Sequence, residues 1–286
     1  MIRHDNKGHD GVNLAVYEGG NPDGPPILLV HGWSQHHLCW SKQMNSQLAA
    51  RFRLLAPDLR GHGASDKPDN ADSYNNSAPW AGDFDAIIKV LKLDRPLVVG
   101  WSMGGWVLND YIRICGDADI SGLVLIGTAV ATGQYAPQEA WKMRTGDSDV
   151  KAEGMYSDDH ETALHATIRF VRACVAKPLD ADDLALMVGY NMMCPPHVRH
   201  AARIRQEDWR PSAAKMTKPA LIMYGAHERL APKPMADQAA ATIPNSRVLA
   251  YENAGHAPFW EDPERFNADL AAFASTCMTA EMEKTA

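Results

Sequence analysis

Apolar residues come along this chain in short unbroken runs, separated by longer stretches in which they recur every three or four positions. The runs are rich in Val, Ile and Leu: ILLVHG at 27–32, FRLLAPD at 52–58, PLVVGWS at 96–102, ISGLVLIG at 120–127, PALIMYG at 219–225 and SRVLAYE at 246–252. A strand covered on both faces has no wet side to mark with polar residues. Such runs therefore predict the central strands of a parallel sheet, and the helix-length stretches between them predict its covering layers. The fold class is α/β. The segment 12–17, VNLAVY, instead mixes apolar and polar positions as a strand with one wetted face does, and predicts an antiparallel edge hairpin.

The rhythm breaks once, between Gly127 and Pro219. The intervening residues carry helical periodicity at Ala163–Val175, Asp182–Tyr190 and Val198–Asp208 and no clear strand. This predicts a helical cap at 131–213 over one end of the sheet, with 1–130 and 214–286 forming the core domain. The cap is rich in Met and aromatic residues: Trp141, Met143, Met155, Tyr156, Phe170, Met187, Tyr190, Met192, Met193 and Trp209. Two uses are open to them, packing the cap's own interior or lining an apolar substrate pocket. Trp141, Met155 and Met192 are the cap residues taken as substrate contacts, together with Trp33 from the core.

The chain has 286 residues, 45% of them apolar, enough to fill a sizeable core. A formal net charge of -7, with no block of Lys or Arg inside it, is no footprint for nucleic acid. The N-terminus MIRHDNKGHDGVNLAV lacks the apolar stretch of a secretory signal, and no run reaches the roughly 18 residues that span a bilayer. Five scattered cysteines without CxxC spacing fit reduced thiols. Together these predict a cytoplasmic protein without membrane or nucleic-acid partners, a monomer or homodimer.

The strongest chemical signal is Gly100-Trp101-Ser102-Met103-Gly104, a G-x-S-x-G set between a buried strand and a helix-like stretch. A sharp strand-to-helix turn holds a serine in strained geometry and needs residues without bulk on either side of it. Ser102 is the candidate nucleophile. Its hydroxyl needs a base, and His256, just past the last strand, falls in a loop that a doubly wound sheet brings to the same edge. The negative oxygen of a tetrahedral intermediate needs two backbone N–H donors. Met103, at the helix N-terminus, and Trp33, in the loop after ILLV, are the candidates for that oxyanion hole.

These residues resemble the α/β-hydrolase superfamily, within it the branch of small serine esterases, lactonases and cofactor-free haloperoxidase or perhydrolase enzymes. The resemblance rests on HGW at 31–33, PDLRGHGASDKP at 57–68, GWSMGG at 100–105, YGAHERLAP at 224–232 and GHAPFWEDPERF at 255–266. It implies an eight-stranded, mostly parallel sheet with a helical cap after strand six. It also implies an acid after strand seven, where Glu228 stands in place of the commoner Asp. The other loop used for that acid, GTAVATGQYAP at 127–137, holds no carboxylate. Epoxide hydrolases and haloalkane dehalogenases carry a carboxylate where this chain has Ser102, which sets them aside. In DLRGHGASD, Asp58, Arg60 and His62 read as a structural hydrogen-bonded loop.

The reading that follows is a serine hydrolase of a small to medium apolar carboxylic ester or lactone, working through an acyl-enzyme on a Ser102-His256-Glu228 triad without metal or cofactor. A carbon–carbon bond hydrolase, a cofactor-free perhydrolase and a non-catalytic ligand receptor on the same scaffold are the alternatives.

Overall fold

The computed structural model describes the backbone of residues 1–145, 147 and 150–285; the side chains of Trp141, Arg144, Thr145 and residues 279–285 are outside the described set. Eight strands, β1 Ile2–Lys7, β2 Asn13–Gly20, β3 Pro26–Val30, β4 Arg53–Pro57, β5 Leu97–Trp101, β6 Gly122–Ile126, β7 Ala220–Gly225 and β8 Ser246–Tyr251, form one sheet. Their order is β1-β2-β4-β3-β5-β6-β7-β8. The β1–β2 and β2–β4 pairs are antiparallel and the rest parallel.

The apolar runs account for the middle of this sheet. Every residue of β5 and β6 is buried, because helices such as Ser77–Val90 and Met103–Cys115 cover the faces. The edges obey different rules. β1 reads IRHDNK and shows no apolar signal, since all but one of its residues keep contact with solvent. It forms because β2 offers a complete ladder, from Ile2 opposite Glu18 to Lys7 opposite Asn13. Glu18 then accepts Arg53 Nε at 3.0 Å and Nη2 at 2.8 Å, pinning the hairpin to β4. The hairpin foreseen at 12–17 therefore has its second arm before it in the chain.

Between β6 and β7 lies the helical cap, with helices Gln138–Thr145, His160–Ala173, Ala181–Met192, Pro196–Arg203 and Arg210–Ala213. Asp159 caps the second of these by accepting Thr162 N at 2.9 Å, and Asp180 caps the third by accepting Asp183 N at 2.7 Å. The expected helix Val198–Asp208 stops earlier, at Arg203. Beyond it the chain returns extended: Thr132 N donates to Glu207 O at 2.8 Å and Trp209 N to Val130 O at 3.0 Å, bonds that a continued helix could not make. This return carries Arg205 and Trp209 to Asp110, whose carboxylate accepts Arg205 Nη2 at 2.9 and 2.8 Å and Trp209 Nε1 at 2.7 Å. The cap is thereby tied to the helix that starts at Met103.

Candidate active site

Four loops meet at the C-terminal ends of β3, β5, β7 and β8, the edge where open α/β sheets place their ligands. Ser102 follows β5 with φ 53° and ψ -119°, a left-handed conformation that costs a non-glycine residue strain. The glycines around it are steric necessities. A Cβ on Gly104 would lie 2.3 Å from Val30 O, and one on Gly100 would lie 2.7 Å from Gly105 N. The turn is held by Ser102 N donating to Ile126 O at 2.8 Å and Thr128 Oγ1 donating to Ser102 O at 2.6 Å.

Glu228 follows β7 and His256 follows β8, both buried. Nδ1 of His256 donates to Glu228 Oε2 at 2.6 Å, while Glu228 Oε1 accepts the N–H groups of Leu230 at 2.8 Å and Ala231 at 3.1 Å. Burial alone pushes this carboxyl toward its neutral form, but the imidazole and the two N–H donors outweigh it and hold Glu228 below the usual range. The extra methylene of Glu over Asp is used: one oxygen reaches the histidine and the other folds back onto its own loop. The two loops pass so closely that a Cβ on Gly225 would lie 2.1 Å from Gly255 O. Trp101 adds a support that motif reading missed, since its Nε1 donates to His256 O at 2.8 Å and its ring lies 5.4 Å from the imidazole. Gly127, at φ 50°, closes the group; a Cβ there would lie 2.8 Å from both Glu228 Oε2 and His256 Nδ1. Among the described residues no hydrogen bond joins Ser102 Oγ to the imidazole, a bond that resting sites often lack.

The loop after β3 runs against the serine: a Cβ on Gly32 would lie 3.2 Å from Ser102 Cβ. Among the described residues neither the N–H of Trp33 nor that of Met103, at the first turn of its helix, has an acceptor. What fixes Trp33 is its neighbour Ser34, at φ 62°, whose N–H donates to Nε2 of the fully buried His62 at 3.1 Å. Nδ1 of His62 faces Arg60 O at 2.9 Å, so both bonds demand the same neutral tautomer. Burial agrees, pushing His62 down to about 4. His31 repeats the device, with Leu59 N donating to its Nε2 at 3.0 Å. The DLRGHG loop thus has the structural role expected of it, Arg60 pairing with Asp83 at 2.7 Å, and through His62 it also touches the loop after β3.

A cavity of about 700 Å³ opens over Ser102, its wall including Trp33, Met103, Trp106, Tyr156, Phe170, Leu230 and Met235. Trp33, a sequence candidate for substrate contact, lies on this wall and meets Phe170 edge-on at 5.2 Å. Met155 and Met192 are not on this wall. Met155 is fully buried in the apolar core, and Met192 accepts Thr167 Oγ1 on its sulfur at 3.4 Å. The side chain of Trp141 lies outside the described residues. The wall residues that replace them, Phe170 and Tyr156 among the aromatics and Trp106 from the core, stand at helical positions indistinguishable in sequence from inward-facing ones.

Among the described residues one group has metal-ligating character, His36, His37 and Asp58, with candidate atoms within 4.8 Å of one another. Its atoms are already engaged. Asp58 Oδ1 accepts both N and Nδ1 of His37 at 2.9 Å, and Oδ2 accepts Ala64 N at 2.9 Å. His36 Nδ1 accepts Leu38 N at 3.2 Å, which puts the proton of a neutral ring on Nε2, the atom 3.6 Å from Asp58. A protonated nitrogen has no lone pair for a cation, so the group is a hydrogen-bonded brace.

Residues 27–269 match the sequence model of the Alpha/beta hydrolase family. The chain is 31% identical over 270 residues to the AB hydrolase superfamily protein YisY of Bacillus subtilis, covering 94% of this chain and 98% of that one. It is 28% identical over 253 residues to the pimeloyl-[acyl-carrier protein] methyl ester esterase of Edwardsiella ictaluri, covering 87% and 92%. The crystal structure of the esterase RhEst1 from Rhodococcus sp. ECU1013 superposes with a TM-score of 0.87 at 30% identity, covering 97% of this chain and 100% of that one.

Proposed function

The chain belongs to the alpha/beta hydrolase family, and on that premise we propose that it hydrolyses a carboxylic ester or lactone through an acyl-enzyme on Ser102. His256 takes the hydroxyl proton as Ser102 attacks the carbonyl carbon and returns it to the leaving alcohol; water then enters by the same route. Glu228 keeps the Nδ1 proton facing itself, which leaves Nε2 as the base, and answers the imidazolium charge. The N–H groups of Trp33 and Met103 receive the oxyanion. The observation that carries this reading is the left-handed Ser102 on the wall of a largely apolar cavity, together with the buried His256 bonded to Glu228. Esterase activity named for the Rhodococcus and Edwardsiella relatives is in keeping with it.

A fluorophosphonate probe should label the wild type stoichiometrically and should not label Ser102→Ala. An unlabelled wild type would overturn the reading in favour of a ligand-binding protein on a hydrolase scaffold. Assay of methyl and p-nitrophenyl esters of increasing acyl length beside simple lactones then separates linear from cyclic substrates.

A further inference from the structure

Two arginines stand on the wall of the cavity over Ser102, and they differ in what their charge meets. Arg205 has a fully covered side chain, and its Nη2 donates to both oxygens of Asp110 and, at 3.0 Å, to Glu207 Oε1. Its charge is answered within the protein. Arg203, the last residue of the helix Pro196–Arg203, is half-buried. Among the described residues no carboxylate pairs with it, and its guanidinium lies 5.5 Å from the centre of the Trp33 ring. The wall nearby is apolar, with Trp33, Tyr156 and Phe170. The acid on the described wall, Glu153, is exposed and has the exposed Lys151 two positions before it. A partly desolvated cation is thus left without a counter-ion, facing a cavity, stacked on the residue whose N–H is the proposed oxyanion donor.

A guanidinium in that situation gains most from a planar anion that it can bind through two N–H groups. We propose that Arg203 is a specificity-determining residue that receives a carboxylate carried by the substrate away from its reacting carbonyl, so that the cavity selects esters or lactones bearing a free carboxylate over neutral ones. The proposal rests on the hydrolase reading above and names the substrate class of that site. The apolar wall takes the chain between the two carbonyl groups, Ser102 takes the reacting end, and Arg203 takes the other. No covalent step is added.

Monomethyl glutarate and methyl pentanoate match in chain length and differ in the terminal carboxylate. The ratio of their kcat/KM values should fall about 10- to 100-fold in Arg203→Gln, chiefly through KM, and Arg203→Lys should recover part of it because the charge remains. In the wild type the ratio should shrink as salt is raised. A change of less than about threefold in Arg203→Gln, or a wild-type preference for the pentanoate, overturns the proposal. If the wild type hydrolyses neither ester, fluorophosphonate labelling decides the hydrolase reading, and calorimetry decides this one by itself. Glutarate should bind Ser102→Ala about tenfold more tightly than Ser102→Ala/Arg203→Gln; equal binding, or none, counts against Arg203.

Discussion

The loop Gly32–Gln35 and the helices between β6 and β7 both border the cavity over Ser102, yet they are held by different means. The loop is fixed atom by atom: Ser34 sits at a left-handed φ, its N–H ends on His62, and Trp33 Nε1 donates to Arg199 O at 2.9 Å. The contribution of these helices to the cavity is a matter of packing, with Phe170 and Tyr156 meeting Trp33 edge-on at 5.2 and 6.1 Å while Met155 is fully buried and absent from the wall. Chemistry at a carbonyl tolerates little displacement, and the loop that carries the proposed donor Trp33 is pinned by hydrogen bonds and steric necessity. Substrate shape tolerates far more, and apolar contact suffices for it. Substitutions in the two regions should therefore fail in different ways.

The largest effect belongs to the pinned side. Glu228→Gln should leave the fold intact and lower kcat by about 10³- to 10⁴-fold, measured with a short-chain p-nitrophenyl ester. The orientation of the new amide is dictated by its loop. Its oxygen must stay on the N–H groups of Leu230 and Ala231, which turns its NH₂ toward Nδ1 and forces the wrong tautomer on His256. Near-normal rates would mean that another carboxylate serves the histidine. Glu228→Asp should be milder, since a side chain one methylene shorter can reach the histidine or its own loop but not both.

On the packed side, Met155→Ala should cost about 2–5 kcal/mol of stability by cavity formation, read from the urea midpoint, and leave the preference among acyl chain lengths in place. Phe170→Ala, at the wall, should shift that preference toward bulkier acyl groups. If the two substitutions altered selectivity alike, the division between wall and interior drawn above would be wrong.

That division also marks what could be read from the residues alone. Ser102 was nameable because a left-handed serine needs Gly100 and Gly104 beside it, and His256 because loops at strand ends converge; Glu228 leaves no local sign of its own and was nameable only through the resemblance to a family that places its acid after strand seven. β1 left none, because an edge strand wetted on both faces needs no apolar run. The end of the helix at Arg203 depended on Thr132 and Val130, which lie far earlier in the chain. Met155 and Phe170 look alike in a sequence, each a large apolar residue among polar ones, and only the packing of the chain decides which one lines the cavity over Ser102. His62 carried a legible structural role in DLRGHG, yet its bond to Ser34 spans 28 positions and has no local sign.

His62 gives a finer test of how the loop is held. His62→Leu removes the acceptor of Ser34 N–H, lets the loop relax from its strained φ, and moves the Trp33 N–H off the oxyanion. The expected loss is about 10- to 100-fold in kcat with KM little changed, less than deleting a donor outright. A glutamine side-chain oxygen can accept the same N–H, so His62→Gln should recover most of the rate at similar thermal stability. A loss in KM alone, or no recovery with glutamine, would reduce His62 to a packing residue.

The smallest effect per group is a pH dependence that divides the two regions again. Burial pushes His62 and His36 down to about 4, from an ordinary 6.5. Between those values the unfolded chain binds protons that the folded chain refuses. Stability therefore falls as the pH drops from about 6.5 toward 4, by roughly 2 kcal/mol for each histidine at pH 5. Both rings brace the loops after β3 and β4; Met155 and Phe170 have no proton to bind. Urea midpoints measured from pH 7 to 4.5 should accordingly slope less steeply in His62→Gln than in the wild type, whereas Met155→Ala should lower the whole curve and keep its slope. A wild-type slope in His62→Gln would show that the ring is protonated in the folded protein. In that case it could not accept the Ser34 N–H, and the loop carrying Trp33 would need another anchor.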